Sequence, residues 1–212
     1  QSNASTGLGL MEGDRNPSLY NLLTNKEFNP NSIKETKIPY LNIIASTIDL
    51  AASEIELAEM DDRENIMKNI LNKITGYDYL FIDCPPALGL LTINSLVASD
   101  SVIIPLQCEF FALEGLSSLI STIETIKSTL NPQIQIEGIV LTMYDKRNSL
   151  SALVEEDVRG HFGKKVYKTV IPRNVRISEA PSHGKPVLIY DTSCVGSMAY
   201  IGLAKEVIFN QE

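Results

Sequence analysis

The 212-residue sequence lacks the Gly-x-x-x-x-Gly-Lys-Ser/Thr loop that would cradle nucleotide phosphates on its backbone amides. It also lacks any run near the roughly 18–20 uninterrupted apolar residues that a membrane helix needs, which excludes a helical span. The opening residues do not read as a secretory leader, and a cytoplasmic protein is expected. Cysteine is scarce: Cys84, Cys108 and Cys194 are odd in number, far apart, and never in the paired CxxC spacing of metal or redox sites. They are expected to be reduced, partly buried thiols. Internal repeats, low-complexity tracts and Pro/Gly/Ser-rich linkers are missing too, so residues 1–212 are expected to form one domain. What is present is ordinary in bulk, 44% hydrophobic and 21% charged, and sufficient for a real core.

The formal charge is −8, which at face value argues against nucleic acid. Its distribution argues otherwise. The segment Lys146 to Lys185 holds nine of the 18 Lys and Arg residues against four acidic ones, so it carries +5 and the remainder −13. Such a segment would form a basic face on an acidic body, or a solvated helix with scattered lysines; charge alone leaves both open.

Strand and helix signals alternate. Leu41–Ala45 reads as a strand, and Asp49 to Thr75 as helical with a break at Asp61-Asp62 and a stop at Gly76. Tyr79–Asp83 reads as a strand, Leu88–Ala98 as a helix, Ser101–Pro105 as a strand. Leu113, Leu116, Ile120 and Ile123 recur at spacings of three and four, one face of a long helix over Phe111–Leu130, which Asn131-Pro132 ends. Its early Glu109 and Glu114 suit a helix N-terminus and need no further role. Ile134–Thr142 is a further strand, Leu150–Phe162 a helix, Val166–Ile171 and Val187–Ile189 short strands, and Ser197–Phe209 a closing helix. This alternation predicts an α/β fold with a doubly wound, mostly parallel sheet flanked by helices.

In such a fold ligands bind beyond the C-terminal ends of the strands. Asp83 lies at such an end, as do Pro105-Leu106-Gln107 and Thr142-Met143-Tyr144-Asp145. One carboxylate at a strand tip is sufficient for magnesium, which keeps several waters and takes one or two carboxylates. Pro85 and Pro86 fix φ twice and stiffen the exit from the strand. The plain alternative is an aspartate that merely opens a turn. His161 and His183 are left without a role.

Four stretches together resemble the ParA/Soj family of chromosome- and plasmid-partitioning ATPases, a deviant-Walker branch of the P-loop NTPases. Asn3-Ala4-Ser5-Thr6-Gly7-Leu8-Gly9 resembles the segment that follows the family's Asp-x-Asp-Pro-Gln motif. Ile48-Asp49-Leu50-Ala51 to Glu54-Ile55-Glu56-Leu57 is similar to its next stretch, and Phe81-Ile82-Asp83-Cys84-Pro85-Pro86-Ala87-Leu88-Gly89-Leu90-Leu91-Thr92 to its Walker B region. Val170-Ile171-Pro172-Arg173-Asn174-Val175-Arg176 to Glu179-Ala180-Pro181-Ser182-His183-Gly184-Lys185-Pro186 is similar to its base-binding and C-terminal signature. The resemblance implies that Asp83 acts on magnesium through water and that Pro85 and Pro86 are switch elements. It implies adenine contacts from Pro172, Arg173 and Asn174, and DNA contacts without sequence preference from Arg147 and Arg176. ATP and Mg2+ are the implied cofactors. Implied partners are non-specific double-stranded DNA, a ParB-like centromere-binding protein and a second copy in an ATP-dependent homodimer, with no membrane, in the bacterial cytoplasm at the nucleoid.

The family's opening strand, lysine-containing phosphate loop, helix and second strand precede the position of Gln1 and have no counterpart here. The expectation is therefore a partial record of a longer protein, with unpaired strand edges and exposed apolar surface. This chain alone is expected not to hydrolyse ATP, since that loop supplies the phosphate-binding groups. Two other readings stay open: a MinD-like membrane-associated ATPase, disfavoured by the end at Ala204-Lys205-Glu206-Val207-Ile208-Phe209-Asn210-Gln211-Glu212, too acidic to bind anionic lipid well, and a non-catalytic truncated interaction module.

Overall fold

A computed structural model describes residues 2–85 and 87–209. Pro86 and the terminal Asn210, Gln211 and Glu212, which entered the expectations above, lie outside the described residues. The chain divides into two compact units, Gln1–Ser99 with Pro181–Lys185, and Asp100–Ala180 with Pro186–Glu212.

The first unit runs α1 (Asn3–Gly7), α2 (Leu19–Asn25), β1 (Ile33–Glu35), β2 (Asn42–Ile44), α3 (Ser53–Ala58), α4 (Ile66–Leu71) and α5 (Leu90–Ala98). At the start of α2 the backbone N–H of Ser18 donates to Asn21 Oδ1 at 2.8 Å, a local closure of the first turn. β1 and β2 pair antiparallel with Ile33 opposite Ile44 and Glu35 opposite Asn42. The core gathers Leu22, Leu23, Leu57, Ile66, Met67, Ile70 and Leu91 from four helices. Asn94, fully buried, ties those helices together: it accepts from Met67 N–H at 3.1 Å and donates to Arg63 O at 2.8 Å. Within this unit two glycine backbones touch. Gly9 and Gly184 have φ of +80° and +59°, and a Cβ on Gly9 would stand 2.8 Å from Gly184 O, so both the conformation and the approach require glycine.

The second unit carries the parallel sheet: β3 (Ser101–Gln107), α6 (Ala112–Thr129), β4 (Gln135–Thr142), α7 (Ser149–Phe162), α8 (Val175–Glu179), α9 (Val187–Tyr190) and α10 (Val195–Phe209). β3 and β4 run parallel from Ser101 opposite Gln135 to Gln107 opposite Thr142, with one irregularity after Val102. Ile139 and Leu141 in β4 are fully buried. Along α6 the buried stripe is Ala112, Leu116, Ile123 and Ile126, with the expected Leu113 and Ile120 half-buried beside it. Gly138 leaves room for the Tyr167 ring, which a Cβ would strike.

Three strand expectations need correction. Val166–Ile171 forms no regular strand, although it follows β4 through parallel bridges at Ile139–Val166 and Tyr144–Pro172 and bonds from Tyr167 N–H to Ile139 O and Ile171 N–H to Leu141 O. Val187–Ile189 is helical. Pro186 precedes it with φ −66°, and the Ser197 hydroxyl donates to Val187 O and Asp191 O, closing the turn from the side. Tyr79–Asp83 is the third: it is not a strand, and Tyr79, Leu80 and Phe81 are exposed, Phe81 by 77%. An extended segment becomes a strand only when a neighbour takes its N–H and C=O groups. The sheets among the described residues pair only β1 with β2 and β3 with β4. The Tyr79 and Phe81 rings stack on each other at 6.0 Å instead.

Candidate functional site

In the second unit, the loops leaving the C-terminal ends of β3 and β4 enclose a cavity of about 220 Å3. Cys108 and Glu109 line it after β3, Met143 and Asp145 after β4, and Asn148, Leu150 and Ser151 from the start of α7; Arg173 completes it. The backbone stitches these loops together: Cys108 N–H donates to Thr142 O, Tyr144 N–H to Ile171 O, and Arg173 N–H to Tyr144 O at 2.9 Å. Met143 takes φ +53°, a left-handed conformation uncommon for a residue with a Cβ, and such strain concentrates at functional sites. A site for a whole drug-sized ligand spans about 300–1,000 Å3, so this cavity holds only part of such a ligand.

The charges around the cavity are ordered. Arg147 grips Asp145 with both nitrogens, Nε to Oδ1 at 3.0 Å and Nη2 to Oδ2 at 2.9 Å, and its backbone N–H adds a third bond. These hydrogen bonds hold the Asp145 carboxyl down at about 2. Burial pushes the Cys108 thiol up to about 11, with a smaller push from Glu155, so it stays protonated at neutral pH. The Arg173 guanidinium approaches Glu109 at 3.9 Å. Asn174 caps α8, its Oδ1 accepting from Arg176 N–H at 2.8 Å, which leaves its amide N–H groups as donors. Pro172 sits at the bridge to Tyr144. All three residues expected at the base therefore lie on one loop, and Arg173 alone lines the cavity.

Asp83 and Pro85 lie in the first unit, on an exposed extended segment. The Cys84 thiol points back to Ile82 O at 3.6 Å. Past the segment, the Thr92 hydroxyl donates to Ala87 O at 2.6 Å, and Glu54 Oε1 accepts from Leu91 N–H at 3.1 Å at the head of α5. Among the described residues no group of three or more His, Cys, Asp or Glu would hold a metal by itself. A single accessible carboxylate fits magnesium that arrives with phosphate oxygens and water, and does not fit a dedicated protein cage.

Within Lys146–Lys185 the four arginines are already paired: Arg147 with Asp145, Arg159 with Glu155, Arg173 with Glu109, and Arg176 with Glu179 and Asp191. Lys146, Lys164, Lys165 and Lys168 are exposed. Sequence reasoning placed Met143 and Asp145 at a strand end without giving them a role, and it passed over Cys108, Asn148 and Ser151. The signal for them was topological: they follow the ends of two adjacent parallel strands.

Residues 1–136 match the family described as an AAA domain. The chromosome partitioning protein ParA of Caulobacter vibrioides is 52% identical over 211 residues, covering 98% of this chain and 79% of that relative. The sporulation initiation inhibitor protein Soj of Bacillus subtilis is 50% identical, covering 99% and 83%. Among solved structures, cobyrinic acid a,c-diamide synthase from Mycobacterium smegmatis with bound ADP and magnesium superposes with a TM-score of 0.72 at 32% identity, over 84% of this chain and 71% of that one. The septum site-determining protein MinD from Pyrococcus horikoshii, complexed with Mg-ADP, gives 0.77 at 22% identity over 98% and 79%, a likeness of fold alone. The fold is the α/β fold of the P-loop NTPases, a parallel sheet with flanking helices. Identity over nearly the whole chain narrows this further. The chain belongs to the ParA/Soj family of chromosome-partitioning ATPases. No helix among the described residues is long and apolar enough to cross a membrane.

Proposed function

We propose that this chain is the nucleotide- and DNA-binding body of a partitioning ATPase, residues 1–212 forming one nucleotide-binding domain. ATP with Mg2+ joins two copies, the dimer holds double-stranded DNA without sequence preference, and a ParB-like protein at the centromere stimulates hydrolysis and release. The protein works in the cytoplasm at the nucleoid. The cavity at the ends of β3 and β4 carries this reading, because it lies where α/β sheets of this class take ligands and has Arg173 in its wall. Arg173 covers the base, Pro172 packs beside it, and the Asn174 amide donates to it. Asp83 faces magnesium through water, and Pro85 with Pro86 stiffens the chain behind it. Magnesium, when bound, offsets the negative charge of the phosphates.

Arg147 and Arg176 are the proposed phosphate contacts on DNA. Each has to exchange a neighbouring carboxylate for a phosphate, and exposed pairs of this kind are worth only about 0–1 kcal/mol, so the exchange is easy. The test titrates the protein from the complete reading frame with non-specific duplex and ATP over a salt series. Arg147→Ala and Arg176→Ala are each expected to weaken binding and to reduce the salt slope by about one. Unchanged affinity and slope in both variants overturns the DNA assignment.

A further inference from the structure

Gly89 is a glycine without a backbone reason. Its φ of −94° and ψ of −176° suit any residue, yet a Cβ there would meet the Glu54 carboxylate in its present place and would have to push that flexible side chain's end aside. That carboxylate caps α5 from a distance. Helix N-termini leave orphan N–H groups that a Ser, Thr, Asp or Asn at the cap position usually satisfies. Here the cap residue has no side chain, and Glu54, 37 residues earlier on α3, accepts from Leu91 N–H at 3.1 Å. A negative charge at this end also suits the helix dipole.

The supplier is itself fixed. Ser53 and Leu57, on either side of Glu54 in α3, are both fully buried, so the carboxylate projects from an anchored turn. The Thr92 hydroxyl adds a second tie to Ala87 O at 2.6 Å. A local cap would stiffen α5 alone. A remote cap joins the exit of the Asp83 segment to a different helix.

We infer that Glu54 is a positioning residue: through Leu91 and the cleared space at Gly89 it sets where the segment carrying Asp83 enters α5. This rests on the proposed magnesium role of Asp83. A group bonded directly to a metal ligand is worth about 10–100-fold in metal affinity or activity; Glu54 bonds Leu91, eight residues past Asp83, so its effect should be smaller.

The experiment compares Glu54→Ala, Glu54→Gln, Gly89→Ala and the Glu54→Ala/Gly89→Ala double variant in the protein from the complete reading frame. Two quantities are read: amide hydrogen exchange at Leu91 without nucleotide, and the Mg2+ concentration that half-saturates ATP hydrolysis. Glu54→Ala is expected to speed exchange at Leu91 and to raise the Mg2+ midpoint by less than the about 10–100-fold of a direct partner of a metal ligand. Glu54→Gln restores both, since its amide oxygen accepts the same bond. Gly89→Ala displaces the Glu54 carboxylate and is expected to act in the same direction with no larger effect, and the double variant is no worse than Glu54→Ala. Unchanged exchange at Leu91 means the anchor does not exist. Faster exchange with a wild-type Mg2+ midpoint reduces Glu54 to an ordinary cap, and either result overturns the inference. If the unaltered protein shows no Mg2+-dependent hydrolysis, the magnesium role of Asp83 falls, and the positioning role falls with it, while the exchange data still decide whether the anchor exists.

Discussion

Ser101–Gln107 and Tyr79–Asp83 are apolar runs of the same character, one in each unit, and they end differently. The first lies against β4 along its whole length, and the Ile139 and Leu141 side chains of that partner are fully buried. The second joins no sheet among the described residues and is exposed, with Phe81 77% accessible, except at Ile82, which packs against the first unit's core. Composition is alike, so composition does not decide. A neighbour that accepts the backbone hydrogen bonds does, and with it comes the face on which side chains are buried.

Truncation is the sharpest way to break this contrast. Ile139→Ala or Leu141→Ala removes a fully buried side chain and should destabilise by about 2–5 kcal/mol. Phe81→Ala should stay within about 0.5 kcal/mol, as for an exposed surface position. Denaturant unfolding of the three variants settles it; a Phe81 cost near that of Ile139 would mean that the run is packed in solution. Next in size is Asn94→Ala, which strands the Met67 N–H in the interior of the first unit and should cost about 1–3 kcal/mol in the same measurement. If this loss matches surface substitutions, the first unit is looser than its helix core suggests.

The smallest effect is electrostatic and belongs to the second unit. The Asp145 carboxyl is lowered from the ordinary 3.8 to about 2 by Arg147, so the stabilisation from this pair is present above pH 3.8 and is lost as pH falls through about 2. Carboxyl chemical shifts followed by NMR should show that midpoint, and Arg147→Ala should return it toward 3.8. An unshifted midpoint in the unaltered protein would remove the Asp145–Arg147 grip from the wall of the cavity.

Much of the second unit was legible because its signals are local or depend on one neighbour. The four-residue spacing of Leu116 and Ile120 and the stop at Asn131-Pro132 define α6, and the run ending at Thr142 defines β4. Val187–Ile189 misled because three apolar residues satisfy either period, and Pro186 with Ser197 decided for a turn of helix. In the first unit, β1 was missed for its three-residue length, and Tyr79–Asp83 joins no sheet among the described residues. The loop of Pro172, Arg173 and Asn174 was found from its motif. Met143 and Asp145 were placed at a strand tip without a role, and Asn148 and Ser151 were not found, because they join the wall only once two strands lie side by side. Glu54 belonged to a matched stretch, yet its bond to Leu91 spans 37 residues and leaves no periodic trace.

Pro181–Lys185 belongs to the first unit although the chain on both sides of it belongs to the second. The polypeptide therefore passes between the units three times. A protease nick after Ser99 leaves Pro181–Lys185 on the same piece as the second unit, and no contiguous gene fragment encodes either unit whole. Deletion mapping that assigns a binding activity to residues 100–212 would carry along the five-residue strap whose Gly184 is shaped to meet Gly9, and would leave that glycine without its counterpart.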